Sequence, residues 1–71
     1  MSINEHISEL VSCHFVNGGE VYTHRELIYW LIAHRGLSAR QAENCLNLAV
    51  KEGFIMFASY DSARGESLYI R

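Results

Sequence analysis

The sequence predicts a mainly α-helical domain that ends in a small β-hairpin. Three segments each combine an N-cap signal with apolar residues at helical spacing, and a glycine follows each segment. After the last of these glycines, two short apolar runs flank a polar turn, which is the pattern of a hairpin. A chain of 71 residues can bury only one small core, so we expect a single domain over residues 1–71.

The first helix is predicted over about residues 3–15. Ser2 is its candidate N-cap, and Glu5 stands three residues later, where it completes a capping box. Apolar residues such as Ile7 and Leu10 recur on one side of the helix. The opposite side carries only polar and acidic residues, so we expect it to face solvent.

A short strand and a second helix follow the Asn17-Gly18-Gly19 loop. The strand is predicted at Val21-Tyr22. Thr23 and Glu26 then form a capping box for a helix that runs to about Arg35 and closes at Gly36. The predicted core stripe of this helix contains Leu27, Ile28, Leu31 and Ile32.

The third helix begins almost at once, because only Leu37 separates Gly36 from its N-cap. Ser38 and Gln41 have capping-box spacing, and the helix is predicted over residues 39–52 with Gly53 ending it. Two helices joined by so short a turn form a helix-turn-helix unit. The predicted buried side of the third helix contains Ala42, Cys45, Leu46, Ala49 and Val50.

The C-terminal hairpin is predicted from two apolar runs. Residues 54–59 form the first strand, residues 60–66 the polar turn, and residues 67–70 the returning strand.

The outer side of the third helix suggests a function. Four polar residues gather there at spacings of i, i+4, i+7 and i+11: Arg40, Asn44, Asn47 and Lys51. Arg and Asn can each make paired hydrogen bonds to base edges, and Lys can neutralise phosphate, so these types suit a helix in a DNA major groove. The alternative is an ordinary solvated helix face.

Charge opposes simple DNA binding, because the net charge of the chain is −2. The distribution is uneven. Residues 1–24 carry three acidic side chains and no Lys or Arg, a charge of −3, whereas residues 25–71 carry six basic and five acidic side chains, a charge of +1. Arg25 at the start of the second helix and Arg64 in the hairpin turn are candidate phosphate contacts. With so few cations, one copy should bind DNA weakly, so we expect a homodimer or a partner protein.

The second helix offers a candidate protein contact. Tyr29 projects away from the core stripe, and Trp30 lies to one side of it. An exposed aromatic beside a partly exposed one is typical of an interface anchor. For Trp30 the competing interpretation is burial in the core.

The order helix, strand, helix, tight turn, helix and two-stranded wing resembles the winged helix-turn-helix superfamily. The residues that carry this resemblance are Leu27-Ile28, Gly36-Leu37-Ser38, Ala42, Leu46, Ala49, Gly53-Phe54-Ile55, Arg64-Gly65 and Tyr69. The resemblance implies a small prokaryotic or phage-type transcriptional regulator that reads double-stranded DNA with its third helix. Winged helices also serve as protein-interaction modules without DNA binding, so that class stays open.

Other chemistry has little support in the sequence. The four histidines do not lie on adjacent helical turns, so we expect no metal site, and no motif indicates an enzyme, a cofactor or a small-molecule substrate. Cys13 and Cys45 are expected to be reduced and mostly packed. The absence of an apolar membrane segment or secretion signal leads us to expect a cytoplasmic protein.

Overall fold

The computed structural model of the chain describes residues 3–16 and 20–71. The predicted Ser2 cap and the Asn17-Gly18-Gly19 loop therefore lie outside the described residues. The elements follow in the order α1 (Ile3–His14), β1 (Tyr22–Thr23), α2 (His24–Arg35), α3 (Ala39–Lys51), β2 (Met56–Asp61) and β3 (Glu66–Ile70). Three helices and an antiparallel sheet make the described part of the chain a mixed α/β fold.

The sheet has the strand order β1-β3-β2, so β3 is central and the hairpin gains a third strand from β1. Tyr69 on β3 pairs with Tyr22 on one side and with Phe57 on the other. The register shifts between Phe57 and Ser59, which leaves Ala58 as the extra residue of a β-bulge. Predicted pairing between the two hairpin strands is confirmed.

Both predicted capping boxes at the starts of α2 and α3 are confirmed. The side chain of Thr23 accepts from the amide of Glu26 at 3.1 Å, and that of Ser38 accepts from the amide of Gln41 at 3.1 Å. Gly36, which follows α2, has the left-handed φ of 69° that a non-glycine residue adopts only at a cost.

The end of α3 sets the start of β2. Gly53 has φ 83°, its amide donates to the carbonyl of Val50 at 3.1 Å, and the amide of Phe54 donates to the carbonyl of Ala49 at 2.9 Å. This pair of bonds is a Schellman motif. Because it uses the amide of Phe54, β2 begins only at Met56.

The predicted hairpin strands were therefore misplaced in part. The first was expected at residues 54–59 but occupies Met56–Asp61, and the polar turn shrinks from residues 60–66 to residues 62–65. Asp61 and Glu66 pair with each other at the end of the ladder. The short first strand also lies one residue later than expected, at Tyr22–Thr23.

The core lies between the three helices and one face of the sheet. Its fully buried large side chains are Ile7, Leu10, Phe15, Leu27, Leu31, Leu46 and Ile55. Two predictions of burial were wrong, that of Ile32 in the core stripe of α2 and that of Cys13 as a mostly packed thiol. Ile32 is 39% exposed, because it is turned about 100° away from Leu31, which fills the core line of α2. Cys13 is exposed, because it follows the solvent-facing residues Glu9 and Ser12 around α1.

None of the helices in the described residues has the length and apolar character needed to cross a lipid bilayer.

Candidate nucleic-acid interface

The outer side of α3 presents a continuous polar strip to solvent. Its members are Arg40, Asn44, Asn47 and Lys51, and all four are exposed; we call them the α3 strip. The opposite side of the helix is anchored by four fully buried residues, Ala42, Cys45, Leu46 and Ala49. This anchoring fixes the rotation of α3, so the four polar side chains face away from the core together. The strip spans about 16 Å along the helix axis at 1.5 Å per residue.

A carboxylate borders the α3 strip. Glu43 follows Arg40 by three residues and precedes Asn47 by four, so it is adjacent to both on the helix surface. Its Oε1 lies 2.7 Å from Nε2 of His24, the first residue of α2. The other ring nitrogen of His24, Nδ1, lies 3.2 Å from the hydroxyl of Tyr69 on β3. His24 thus connects α2, α3 and the central strand of the sheet.

Arg25 is held beside the hairpin rather than standing free. Its side chain is 83% exposed, and its Nε lies 3.4 Å from Oε1 of Glu66, the first residue of β3. Oε1 is buried and makes no hydrogen bond to the described residues, so this contact is an ion pair without hydrogen-bond geometry. Because the Glu66 side chain is only 13% exposed, its charge is poorly solvated and attracts the guanidinium at this position.

The N-terminus of α2 is a poorer phosphate site than the sequence suggested. The amide of Glu26 is already bonded to Thr23, and the Glu26 carboxylate itself lies 3.4 Å from the amide of Thr23. A phosphate at this end of the helix would approach that carboxylate. Any contact between this region and an anion would therefore use the side chain of Arg25 rather than the amides of the helix terminus.

The hairpin turn, residues 62–65, is organised by Asp61. Oδ1 of Asp61 accepts from the amides of Ala63 and Arg64 at 3.1 and 3.3 Å, and its carbonyl accepts from the amide of Gly65 at 2.7 Å. The Arg64 side chain is 70% exposed, and its Nε lies 3.8 Å from Oδ2 of Asp61. This distance in solvent gives a weak ion pair, so Arg64 can exchange Asp61 for another anion.

Arg25 and the hairpin turn share one side of the molecule. A polar hollow of about 300 Å³ is lined by His24, Arg25, Gly65, Glu66, Ser67 and Tyr69. His24 extends this side to α3 through Glu43. Arg25 therefore lies beside the turn end of the hairpin, next to Gly65 and Glu66, and the α3 strip is connected to this side of the molecule through His24 and Glu43.

Sequence reasoning missed the contacts that make these connections, which are formed by His24, Glu43, Glu66 and Tyr69. Helical spacing alone could have placed Glu43 beside the α3 strip. No local pattern could have paired His24 with Tyr69, because 45 positions separate them and the contact depends on the sheet.

Comparison of the chain with protein-family models, with curated proteins and with solved structures finds no match. The function must therefore be argued from the residues of this chain.

The two predicted interface residues have different environments. Tyr29 is 69% exposed, as expected. Trp30 is half-buried against the core, where its ring stacks on His34 at 5.3 Å and meets the edge of His14 at 5.2 Å. The indole thus contributes to packing as well as to surface, and Tyr29 is the more accessible of the two.

Both cysteines are free, as expected, but they differ in exposure. Cys45 is buried on the inner side of α3, and burial raises the pKa of its thiol. Cys13 is exposed on α1. Within residues 3–16 and 20–71, no three His, Cys, Asp or Glu side chains come together in a way that could hold a metal ion.

Proposed function

We propose that the protein is a winged helix-turn-helix DNA-binding regulator in which α3 enters the major groove and the β2–β3 hairpin is the wing. The observation that carries this proposal is the α3 strip: four exposed side chains of the types that read bases and neutralise phosphate, on a helix whose rotation is fixed by its buried side.

Residues of the α3 strip are assigned different DNA contacts according to their position along the helix. Asn44 and Asn47 lie in the middle, where a helix approaches base edges, and the amide of Asn can bond both N6 and N7 of adenine. Arg40 and Lys51 lie towards the two ends, nearer to the flanking phosphates, and neither forms an ion pair with any residue in the described ranges. Their charges are therefore available to DNA.

Arg25 and Arg64 are assigned to the DNA backbone. Both are well exposed, and their present partners, Glu66 and Asp61, lie at 3.4 and 3.8 Å without a hydrogen bond between the charged groups. Backbone contacts of this kind position a protein on DNA and add affinity without selecting a sequence. Asp61 holds the backbone of the hairpin turn in one conformation, and the turn can therefore present the Arg64 side chain to a phosphate.

The charge balance sets the strength of binding. Four cations face DNA in this arrangement, and Glu43 and Glu66 lie close to them. If three or four phosphates are neutralised, the logarithm of the binding constant should fall with the logarithm of salt concentration with a slope of about −3. Affinity would then drop by roughly 50- to 100-fold between 50 and 200 mM salt. A single copy binds weakly, and two copies on one site would raise the affinity.

A second function has an observation of its own. The outer side of α1 exposes Glu5 and Glu9, and Tyr29 on α2 is among the most exposed large side chains of the described residues. An acidic surface and an exposed aromatic would suit a basic or apolar protein partner. In this alternative the domain is a protein-interaction module that does not bind DNA.

A salt-titrated binding assay against random genomic fragments separates the two functions. The DNA-binding proposal requires measurable affinity at low ionic strength, the expected steep salt dependence, and enrichment of a common sequence. The matched variants are Asn47→Ala, on the strip, and Ser12→Ala, a similarly small polar change on the solvent side of α1. No salt-sensitive binding by the wild type would favour the protein-interaction module. Equal enrichment by the wild type and both variants would instead show that Asn47 does not read the sequence.

A further inference from the structure

The strand β2 forms an open edge of the sheet. β3 occupies one side of it, and no element within the described residues pairs with the other side. Its residues from Met56 to Tyr60 are all exposed, although the run from Gly53 to Tyr60 contains no charged residue and no proline. Natural proteins usually protect an exposed edge strand with Lys, Pro or a covering element, because free N–H and C=O groups recruit another strand. Within the described residues this edge has no Lys, Pro or covering element, and its protections are the bulge at Ala58 and the charge of Asp61 at the end of the strand.

Exposed apolar side chains lie on both faces of β2. Met56 pairs with Ile70, whereas Phe57 and Tyr60 pair with Tyr69 and Ser67, so they point to the opposite face. Met56 is 54% exposed, Phe57 55% and Tyr60 59%. A partner lying flat against one face of the sheet would cover only one of these sets. A strand that continues the sheet lies beside β2 and covers parts of both.

We propose that β2 pairs antiparallel with β2 of a second copy of this chain, which joins the two three-stranded sheets into one of six strands. Two-fold antiparallel symmetry places the same segment against itself. The uncharged residues Met56 to Tyr60 meet their own copy without like-charge repulsion, and the Asp61 residues that end the two strands lie at opposite ends of the pair. A charged partner segment would find no complementary charge between Gly53 and Tyr60. The observations therefore favour a second copy over an acidic or basic peptide.

The assembly closes at two copies. The other edge of the sheet is β1, which has only two residues, and one of them, Thr23, is buried and caps α2. So short an edge cannot support a further strand, and a two-fold β2 contact uses up the long edge of each copy. We therefore expect a dimer rather than a filament.

The exposed area predicts a weak dimer. Phe54, Phe57 and Tyr60 are about half exposed, which corresponds to roughly 300 Å² of aromatic surface per copy at about 200 Å² for each ring residue. With Met56, two copies would bury on the order of 800 Å² of side-chain surface, below the ~1,200 Å² of small stable interfaces. The bulge at Ala58 also interrupts regular pairing. We expect a dissociation constant on the order of 10–100 µM.

Sedimentation without DNA tests this proposal independently of the proposed function. The wild type should pass from monomer to dimer as its concentration rises to about 1 mM. Phe57→Lys and Tyr60→Lys each place like charges across the two-fold axis and should keep the protein monomeric, with affinity reduced at least tenfold. Tyr29→Lys introduces the same charge at a comparably exposed aromatic on α2, the competing contact predicted from the sequence, and if β2 forms the dimer its dimerisation should equal that of the wild type.

Hydrogen exchange on the wild-type protein supplies a readout that does not depend on any variant folding. Pairing at β2 should slow exchange of amides within Met56–Asp61 at high concentration relative to low concentration, while amides of α2 stay unchanged. A wild type that is monomeric at about 1 mM, or β2 exchange that is independent of concentration, overturns the proposal. So does dimerisation that Tyr29→Lys abolishes and both β2 variants retain.

Discussion

Nε2 of His24 lies 2.7 Å from Oε1 of Glu43, which joins the first residue of α2 to the edge of the exposed strip on α3. The contact has two consequences for the proposed DNA face. It helps to hold α3 at a fixed angle to α2 and, through the Tyr69 hydroxyl, to the sheet. It also brings a negative charge next to Arg40 and Asn47, where DNA phosphates would approach.

Glu43→Gln should therefore strengthen DNA binding. The substitution removes one negative charge beside the α3 strip but keeps an oxygen that can accept from His24. Removing one repulsive exposed charge is worth at most about 1 kcal/mol, or several-fold in affinity at low salt, and the gain should shrink as salt rises. Fluorescence anisotropy against a labelled duplex at two salt concentrations measures this effect.

The control for that experiment is Glu9→Gln, which makes the same charge change on the exposed side of α1. Its affinity should stay close to that of the wild type. Equal gains in both variants would mean that only net charge matters and that Glu43 has no special position on the DNA face.

Arg64→Ala should weaken binding to all sequences alike and reduce the magnitude of the salt slope by about one, because one phosphate contact is lost. Arg71→Ala is the matched control: it removes the same charge just beyond the other end of β3 from the hairpin turn, where Arg71 contacts the carbonyl of Phe15. Its salt slope should not change. A plot of log affinity against log salt concentration for the three proteins decides the matter, and identical slopes would remove Arg64 from the interface.

Gly53→Ala should destabilise the domain by about 1–2 kcal/mol, because a residue with a Cβ is disfavoured at positive φ. Apart from Gly53 itself and its two chain neighbours, no heavy atom of the described residues lies within 4 Å of the position that a Cβ would occupy, so the cost comes from the backbone conformation and not from a clash. For a domain of this size the melting temperature should fall by about 4–8 °C for each kcal/mol. Gly53→Asn should cost less, since Asn tolerates this conformation better. Thermal melts monitored by circular dichroism would contradict this account if both variants melted at the wild-type temperature.

Helices were predictable from this sequence because their signals are local. Thr23 with Glu26 and Ser38 with Gln41 bond across three residues, and Gly36 and Gly53 close the helices that precede them. Each of these signals lies within about one turn of the helix end that it marks, whether that is the start or the finish of the helix. For the same reason, the exposure of the α3 strip followed from helical spacing alone.

The strand boundaries and the connections within the site were not predictable in the same way. β2 starts late because the amide of Phe54 is bonded back to Ala49, a detail of the helix exit that apolar patterning does not contain. Arg25 meets Glu66, and His24 meets Tyr69, only because β3 crosses beside the start of α2. Long-range contacts of this kind depend on the fold as a whole.

Thiol labelling should distinguish the two cysteines. At pH 8 the native protein should take one label quickly, at exposed Cys13, while Cys45 should react only after unfolding, since it is buried and its raised pKa favours the unreactive thiol. Intact-mass spectrometry with and without denaturant counts the labels, and Cys13→Ser should take none in the native state. Two rapid labels on the native wild type would show that Cys45 is accessible.

Cys45 also predicts a pH dependence of stability. Its native pKa lies above the ordinary value of 9.0, so the native state keeps this proton where the unfolded chain loses it. The contribution of the protonated Cys45 thiol to the free energy of unfolding is therefore complete below about pH 9. It is lost as the pH rises through the raised pKa of the native state. Urea unfolding of the wild type and of Cys45→Ala at pH 7.5 and at pH 10 tests this. The free energy of unfolding of the wild type should exceed that of the variant by less at the higher pH. An advantage that grew with pH would have the wrong sign.

Asn44→Ala is the sharpest test of base reading, because Asn44 lies in the middle of the α3 strip and its side chain is exposed. Loss of a paired hydrogen bond to one base should cost about 1–3 kcal/mol on the preferred site and relax the preference at one base pair. The salt slope should stay unchanged, since no phosphate contact is lost, which separates this variant from Arg64→Ala. Selection from a random duplex library, followed by affinity measurements on the enriched site and its single-base variants, gives both quantities.

The domain should remain folded, because an exposed Asn in the middle of a helix contributes little to stability, and Ala is the better helix former. If the variant loses affinity equally on every sequence, Asn44 contacts the backbone, and if it loses none, α3 does not read DNA through this residue.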